Sequence, residues 1–85
     1  MNVSRNGQRV LHALAQGGVI RLHKDENGRF SDVECITREG WLLTLCTMEL
    51  FRSLRSKGLV ASTNGGPYRI TRLGLSVVRS RPDNR

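Results

Sequence analysis

The pair Asn27-Gly28 divides two short segments that match each other residue by residue, and this match restricts the fold more than any other feature of the chain. Asn-Gly is the favoured centre of a two-residue type I′ turn, in which both central positions need positive φ. A turn placed there pairs Glu26 with Arg29 and fixes the register upstream. Leu22 meets Val33 and Ile20 meets Cys35 on one face, while Arg21 meets Glu34 and His23 meets Asp32 on the other. Apolar side chains then oppose apolar ones and opposite charges oppose each other, and a slip of one residue destroys both. The sequence therefore predicts a β-hairpin with one buried face. It also accounts for His23 and Asp32 as a cross-strand pair rather than as half of a catalytic dyad.

Helical patterns flank this hairpin. Ser4 is placed to cap a helix reaching to about Gln16, with Val10, Leu11 and Leu14 as its apolar stripe, Gly7 permitting close approach and Gly17-Gly18 as its stop. Arg5, Arg9, His12 and Gln16 share the outer face of that helix. Beyond Thr37, Arg38-Glu39-Gly40 break the strand. Trp41-Leu42-Leu43 then read as a short buried strand or turn, with Trp41, the only tryptophan, as a core anchor. Thr47 caps a helix over residues 48–57, with Glu49 in its first turn, Leu50, Phe51 and Leu54 as its inner stripe, and Gly58 as its left-handed closing residue. Glu49, Arg52 and Ser56 centre on the outer face of this helix, flanked by Ser53 and Arg55.

A second hairpin joins Leu59-Val60-Ala61 to Tyr68-Arg69-Ile70. Either Asn64-Gly65 or Gly65-Gly66 can form its corner, and Pro67 must avoid a donating position in the ladder. Thr71 caps a last helix containing Leu73, Val77 and Val78, which Pro82 ends. The order helix, hairpin, helix, hairpin, helix defines a small α+β domain over residues 1–81 with a polar tail at 82–85. The stretch from Lys57-Gly58-Leu59-Val60 through Tyr68-Arg69-Ile70-Thr71-Arg72-Leu73-Gly74 resembles the end of a winged-helix domain, in which a helix, a two-stranded wing and a further helix follow one another.

Size and composition exclude several function classes. A chain of 85 residues buries only about 60 to 65% of the surface its unfolded form exposes, which leaves little room for a bulky cofactor, and none is expected. There is no apolar run long enough to cross a bilayer, and the opening residues lack the apolar segment of a secretion signal. Both point to a cytoplasmic protein without membrane contact. Cys35 and Cys46 lack the close spacing of zinc or redox motifs and read as buried thiols, so no metal site is expected from them with His12 and His23.

Charge is distributed unevenly along the chain. Residues 1–51 hold six basic and six acidic side chains, so the formal net charge of +7 arises entirely from residues 52–85, where eight basic residues face the single acid Asp83. Seven of those eight are arginines, whose planar fork suits phosphate and carboxylate recognition. An acidic partner is implied, either a protein face or nucleic acid. The candidate binding residues are Arg52, Arg55, Lys57, Arg69, Arg72 and Arg79. No Gly-rich phosphate loop, paired carboxylates or recognisable nucleophile setting is present, which favours a non-enzymatic binding protein without a small-molecule substrate. A small ribonuclease would have to use His12 with Arg5 and Arg9.

The opening Met1-Asn2 and Ser4-Arg5, then Leu11-His12, Gly17-Gly18, Val33-Glu34-Cys35, Arg38-Glu39-Gly40, Cys46-Thr47, Pro67-Tyr68-Arg69-Ile70 and the closing Pro82-Asp83-Asn84-Arg85 resemble the YjhX family of small bacterial proteins. Members of that family are assigned to the toxin side of toxin–antitoxin pairs. The resemblance implies inhibition of DNA topoisomerase I by direct binding, and a cognate antitoxin as a second partner. It supplies no catalytic motif to carry over. A winged-helix DNA-binding transcriptional regulator is the alternative, and it would use the same basic half.

Overall fold

A computed structural model of the protein describes residues 3–79. Three helices and four strands follow in the order α1 (Arg5–Ala15), β1 (Val19–Lys24), β2 (Phe30–Ile36), α2 (Met48–Ser56), β3 (Val60–Ser62), β4 (Tyr68–Ile70) and α3 (Arg72–Arg79). The strands form one antiparallel sheet in the order β2-β1-β4-β3, so the first hairpin is joined to the second through its first strand. This is a small α+β domain compatible with a winged-helix-like arrangement, with α2 preceding the β3–β4 wing. The helix stop at Pro82 and the tail at 82–85 lie outside the described residues.

The three helices begin where their capping side chains dictate. The Gly7 N–H donates to Ser4 Oγ at 3.1 Å, the Leu50 N–H to Thr47 Oγ1 at 3.1 Å and the Gly74 N–H to Thr71 Oγ1 at 3.0 Å. Each bond satisfies a donor that the first helical turn leaves unpaired. Thr71 also donates from its hydroxyl to the Gly58 carbonyl at 2.7 Å, which ties the start of α3 to the end of α2.

The first hairpin keeps the predicted register but not the predicted turn. Ile20 opposes Cys35, Arg21 opposes Glu34, Leu22 opposes Val33 and His23 opposes Asp32. Asn27, however, is not among the positive-φ residues, whereas Gly28 sits at φ 79°, which excludes a type I′ turn. The Asp25 N–H instead donates to the Arg29 carbonyl at 2.8 Å, the Gly28 N–H returns to the Asp25 carbonyl at 3.0 Å, and Asp25 Oδ1 accepts from the N–H groups of Asn27 and Arg29 at 2.9 and 3.0 Å. The loop thus holds three residues rather than two. Ser31 restores the register as a bulge, because Lys24 opposes Phe30 while His23 opposes Asp32.

The same turn recurs at Thr37. Its N–H donates to the Trp41 carbonyl at 2.8 Å, the Gly40 N–H donates to the Thr37 carbonyl at 2.9 Å, and the Trp41 N–H donates to Thr37 Oγ1 at 3.1 Å, with Gly40 at φ 93°. This turn overturns the expected core role of Trp41, which is 72% exposed, as Leu42 is at 58%. The turn spends Trp41 on its own closure and throws the indole outward. Leu43 and Cys46 fill the neighbouring core positions instead. In the second hairpin, Asn64 and Gly65 have φ 55° and 73°, and the Gly66 N–H donates to the Thr63 carbonyl at 3.0 Å. Asn64-Gly65 is therefore the corner, and Pro67 stands outside the β3–β4 ladder.

The helices cover one face of the sheet. Val10, Leu11, Leu14, Ile20, Cys35, Phe51, Leu54 and Leu59 are buried between them, and the Phe51 and Tyr68 rings meet edge to face with centroids 4.9 Å apart. Side chains of this size contribute about 1.5 to 3 kcal/mol each when fully buried. Helix α3 reaches the core through Gly74, where an added Cβ would lie 2.5 Å from the Leu59 carbonyl oxygen and 2.6 Å from Ile70 Cγ1. The backbone oxygen cannot rotate away. Gly74→Ala is expected to cost about 2 to 3 kcal/mol by overpacking, against a few tenths for the exposed Ser76→Ala, as measured by urea unfolding.

Candidate functional site

The basic residues of the C-terminal half fall in separate places. Arg52 and Arg55 stand on the exposed face of α2, three residues apart and so adjacent on the helix surface. Arg72 and Arg79 line a shallow depression on α3 together with Leu75 and Ser76. Arg69 is exposed on β4 between Tyr68 and Ile70, which point to the core. Because Phe51 of α2 packs on Tyr68, Arg69 points to the side of the sheet opposite α2. Lys57 caps α2, and its Nζ donates to Ser53 Oγ at 2.7 Å. Among the described residues, Arg52, Arg55, Arg69, Arg72 and Arg79 have no acidic partner.

Basic residues from the charge-balanced first half join Arg69 on the sheet. Ile20 opposes Tyr68 on the inner face, so Arg21 and His23 share the outer face with Arg69. The cross-strand pairing predicted from the sequence is partly redistributed there. His23 Nε2 pairs with Glu34 on the diagonal, while Asp32 Oδ1 accepts from the N–H of Val33 at 2.8 Å. Arg21 opposes Glu34 in register, yet that carboxylate is engaged by His23. Along the sequence these residues belong to a half in which acidic side chains match the basic ones in number. Only the β1–β4 pairing, which no local pattern announces, brings them to the wing.

Beyond Ile20 the sheet opens. The paired residues of β1 and β4 are Ile20 and Tyr68 alone, and the Gly66 N–H, the next on the wing to face β1, donates instead to the Thr63 carbonyl at 3.0 Å. A cleft of about 540 Å³ separates residues 21–24 from residues 65–67 of the wing loop. Leu22, Phe30 and Tyr68 line its inner side, and Lys24 Nζ sits 5.4 Å from the Phe30 ring centroid. Arg21 and His23 lie at its outer rim.

His12 lies half-buried rather than on an open polar face. Its Nδ1 is buried without a hydrogen-bond partner among the described residues, and its Nε2 lies 3.3 Å from Gln16 Nε2. Arg5 and Arg9 are exposed on the same helix. Among the described residues, no group of three His, Cys, Asp or Glu side chains is placed to hold a metal ion, and no helix is long and apolar enough to cross a membrane.

Comparison with known proteins places this geometry in a family. A family model described as "putative toxin of bacterial toxin-antitoxin pair", YjhX toxin, matches residues 1–85. The chain belongs to the YjhX toxin family. Its relatives include the UPF0386 proteins of Rhodospirillum centenum, 62% identical over all of this chain and 99% of the relative, and of Caulobacter vibrioides, 59% identical over all of this chain and 93% of the relative. A UPF0386 protein of Myxococcus xanthus is 59% identical over 92% of each chain. No solved structure matches the chain.

In this YjhX-family protein both cysteines are free and buried. Burial raises the Cys35 thiol above its ordinary range, and burial together with the nearby Cys35 pushes Cys46 up to about 12. Both thiols therefore stay protonated near neutral pH, which removes the reactive thiolate. Ellman's reagent at pH 8 should modify the folded protein about 100-fold more slowly than the denatured protein. Equal rates in the two states would contradict the burial of these side chains.

Proposed function

We propose that this YjhX-family protein acts as a non-enzymatic toxin that inhibits DNA topoisomerase I by direct protein binding, and that its cognate antitoxin opposes it by binding the same basic half. One observation carries the reading. The exposed arginines Arg52, Arg55, Arg69, Arg72 and Arg79 have no acidic partner among the described residues, so their guanidinium groups are available to carboxylates of another chain. The family's assignment to toxin–antitoxin pairs supports a protein target and a protein antagonist. Resemblance to the YjhX namesake supports topoisomerase I as that target. Inhibition needs no chemistry from the toxin: occupying an acidic surface that the enzyme must open or load is sufficient.

The position of α2 before the β3–β4 wing favours a second reading. A winged-helix DNA binder would present Arg52 and Arg55 to the major groove from this helix. The two readings differ in what the arginines touch. For a topoisomerase inhibitor, supercoil relaxation is expected to stop at protein concentrations that leave the mobility of the same DNA unchanged. The combined reversal Arg52→Glu and Arg55→Glu should weaken inhibition by about tenfold or more, since each reversal replaces attraction by repulsion. Tight, partner-free and sequence-selective DNA binding that falls steeply with salt would contradict this account and favour the regulator.

A further inference from the structure

The cleft between β1 and the wing loop combines three features that a binding site for an extended chain needs. The first is a free backbone edge. Residues 21–24 pair with β2 on one side, but among the described residues no strand runs along the other side beyond Ile20, and an unpaired edge is a template for strand addition. The second is a sorted pair of faces. Leu22, Phe30 and Tyr68 lie on the inner side of the cleft, while Arg21 and His23, with Arg69 nearby on β4, lie on the outer side. The third is a loop that leaves the space open, because Gly65 and Gly66 have no side chains to fill it and the Gly66 N–H, next in line to face β1, is spent on the Thr63 carbonyl.

We propose that this cleft receives an extended acidic segment of a partner protein, added as a strand along the free edge of β1. Strand alternation specifies the pattern. Every second side chain would be apolar and turn toward Leu22, Phe30 and Tyr68, and the residues between would be acidic and turn toward the outer rim at Arg21 and His23. Four residues of edge span about 13 Å, enough for four residues of an added strand. A single-stranded nucleic acid fits less well. The free edge of residues 21–24 offers N–H and C=O groups to an amide backbone, which a nucleic acid lacks. The inference rests on the protein-partner reading above and names the segment of the partner that is bound.

The test is a titration of ¹⁵N-labelled protein alone, so a failure here is separate from a failure to inhibit topoisomerase. The probe is the peptide acetyl-Glu-Val-Glu-Phe-Glu-Val-Glu-amide, compared with a peptide of the same composition in which the acidic and apolar residues are segregated. Amide shifts should concentrate at residues 21–24 and at Gly65, Gly66 and Tyr68, and the segregated peptide should bind at least about tenfold more weakly. Arg21→Glu, at an exposed position, should weaken binding about tenfold while leaving the circular dichroism spectrum unchanged; Arg38→Glu, exposed in the turn at the other end of β2, should have no effect. The proposal is overturned by an absence of shifts at about 1 mM peptide, by shifts confined to α2 or α3, or by equal binding of the two peptides. It is equally overturned if an octameric oligothymidylate shifts the same amides at lower concentration.

Discussion

Ile20 is fully buried at the point where two hairpins, widely separated in sequence, become one sheet. It opposes Cys35 on β2 and Tyr68 on β4, and the Tyr68 ring in turn meets Phe51 of α2. Through this one residue the first hairpin, the wing and the second helix share a core. The remaining pieces attach around it: α1 contributes Val10, Leu11 and Leu14, and α3 approaches over Gly74. Because β1 and β4 pair at a single position, the junction is narrow. The same narrowness opens the cleft that follows and leaves the edge of residues 21–24 without a neighbouring strand.

Local chemistry made much of the fold legible. Ser4, Thr47 and Thr71 are short polar residues ahead of apolar periodicity, and each became a helix cap. The alternation around Asn27-Gly28 gave the correct strand register because a slipped sheet would bury charge. The turn itself departs from the type I′ form that Asn-Gly favours. Asp25 captures two backbone N–H groups with its carboxylate and so stabilises a three-residue loop, and the bulge at Ser31 absorbs the difference. Trp41 misled for a related reason: its bulk suggests burial, but its backbone closes a second copy of that turn, and the side chain is carried into solvent. Asp25 and Thr37 occupy equivalent places in the two loops, each with a glycine three residues later. That spacing was available in the sequence.

The candidate surface was less legible, because charge counted along a chain is not charge in space. The C-terminal arginines form no single cluster: α2 carries Arg52 and Arg55 on one side of the sheet, and Arg69 faces the other. Arg21 and His23 come from a half whose charges balance, yet the fold carries them to the wing, where Glu34 is committed to His23. Family membership supplies the toxin assignment, and the attachment proposed above draws on arginines without an acidic partner among the described residues.

Both the joining of the sheet and the open cleft depend on the narrow junction at Ile20, and native-state amide exchange tests it most directly. If β1 pairs fully with β2 but touches β4 only at Ile20, amides along residues 21–24 should alternate between slow exchange, for those facing β2, and fast exchange, for those facing the cleft. Uniformly slow exchange through residues 21–24 would mean that the second edge is paired as well, and it would contradict both the open cleft and the account of how this sheet is joined.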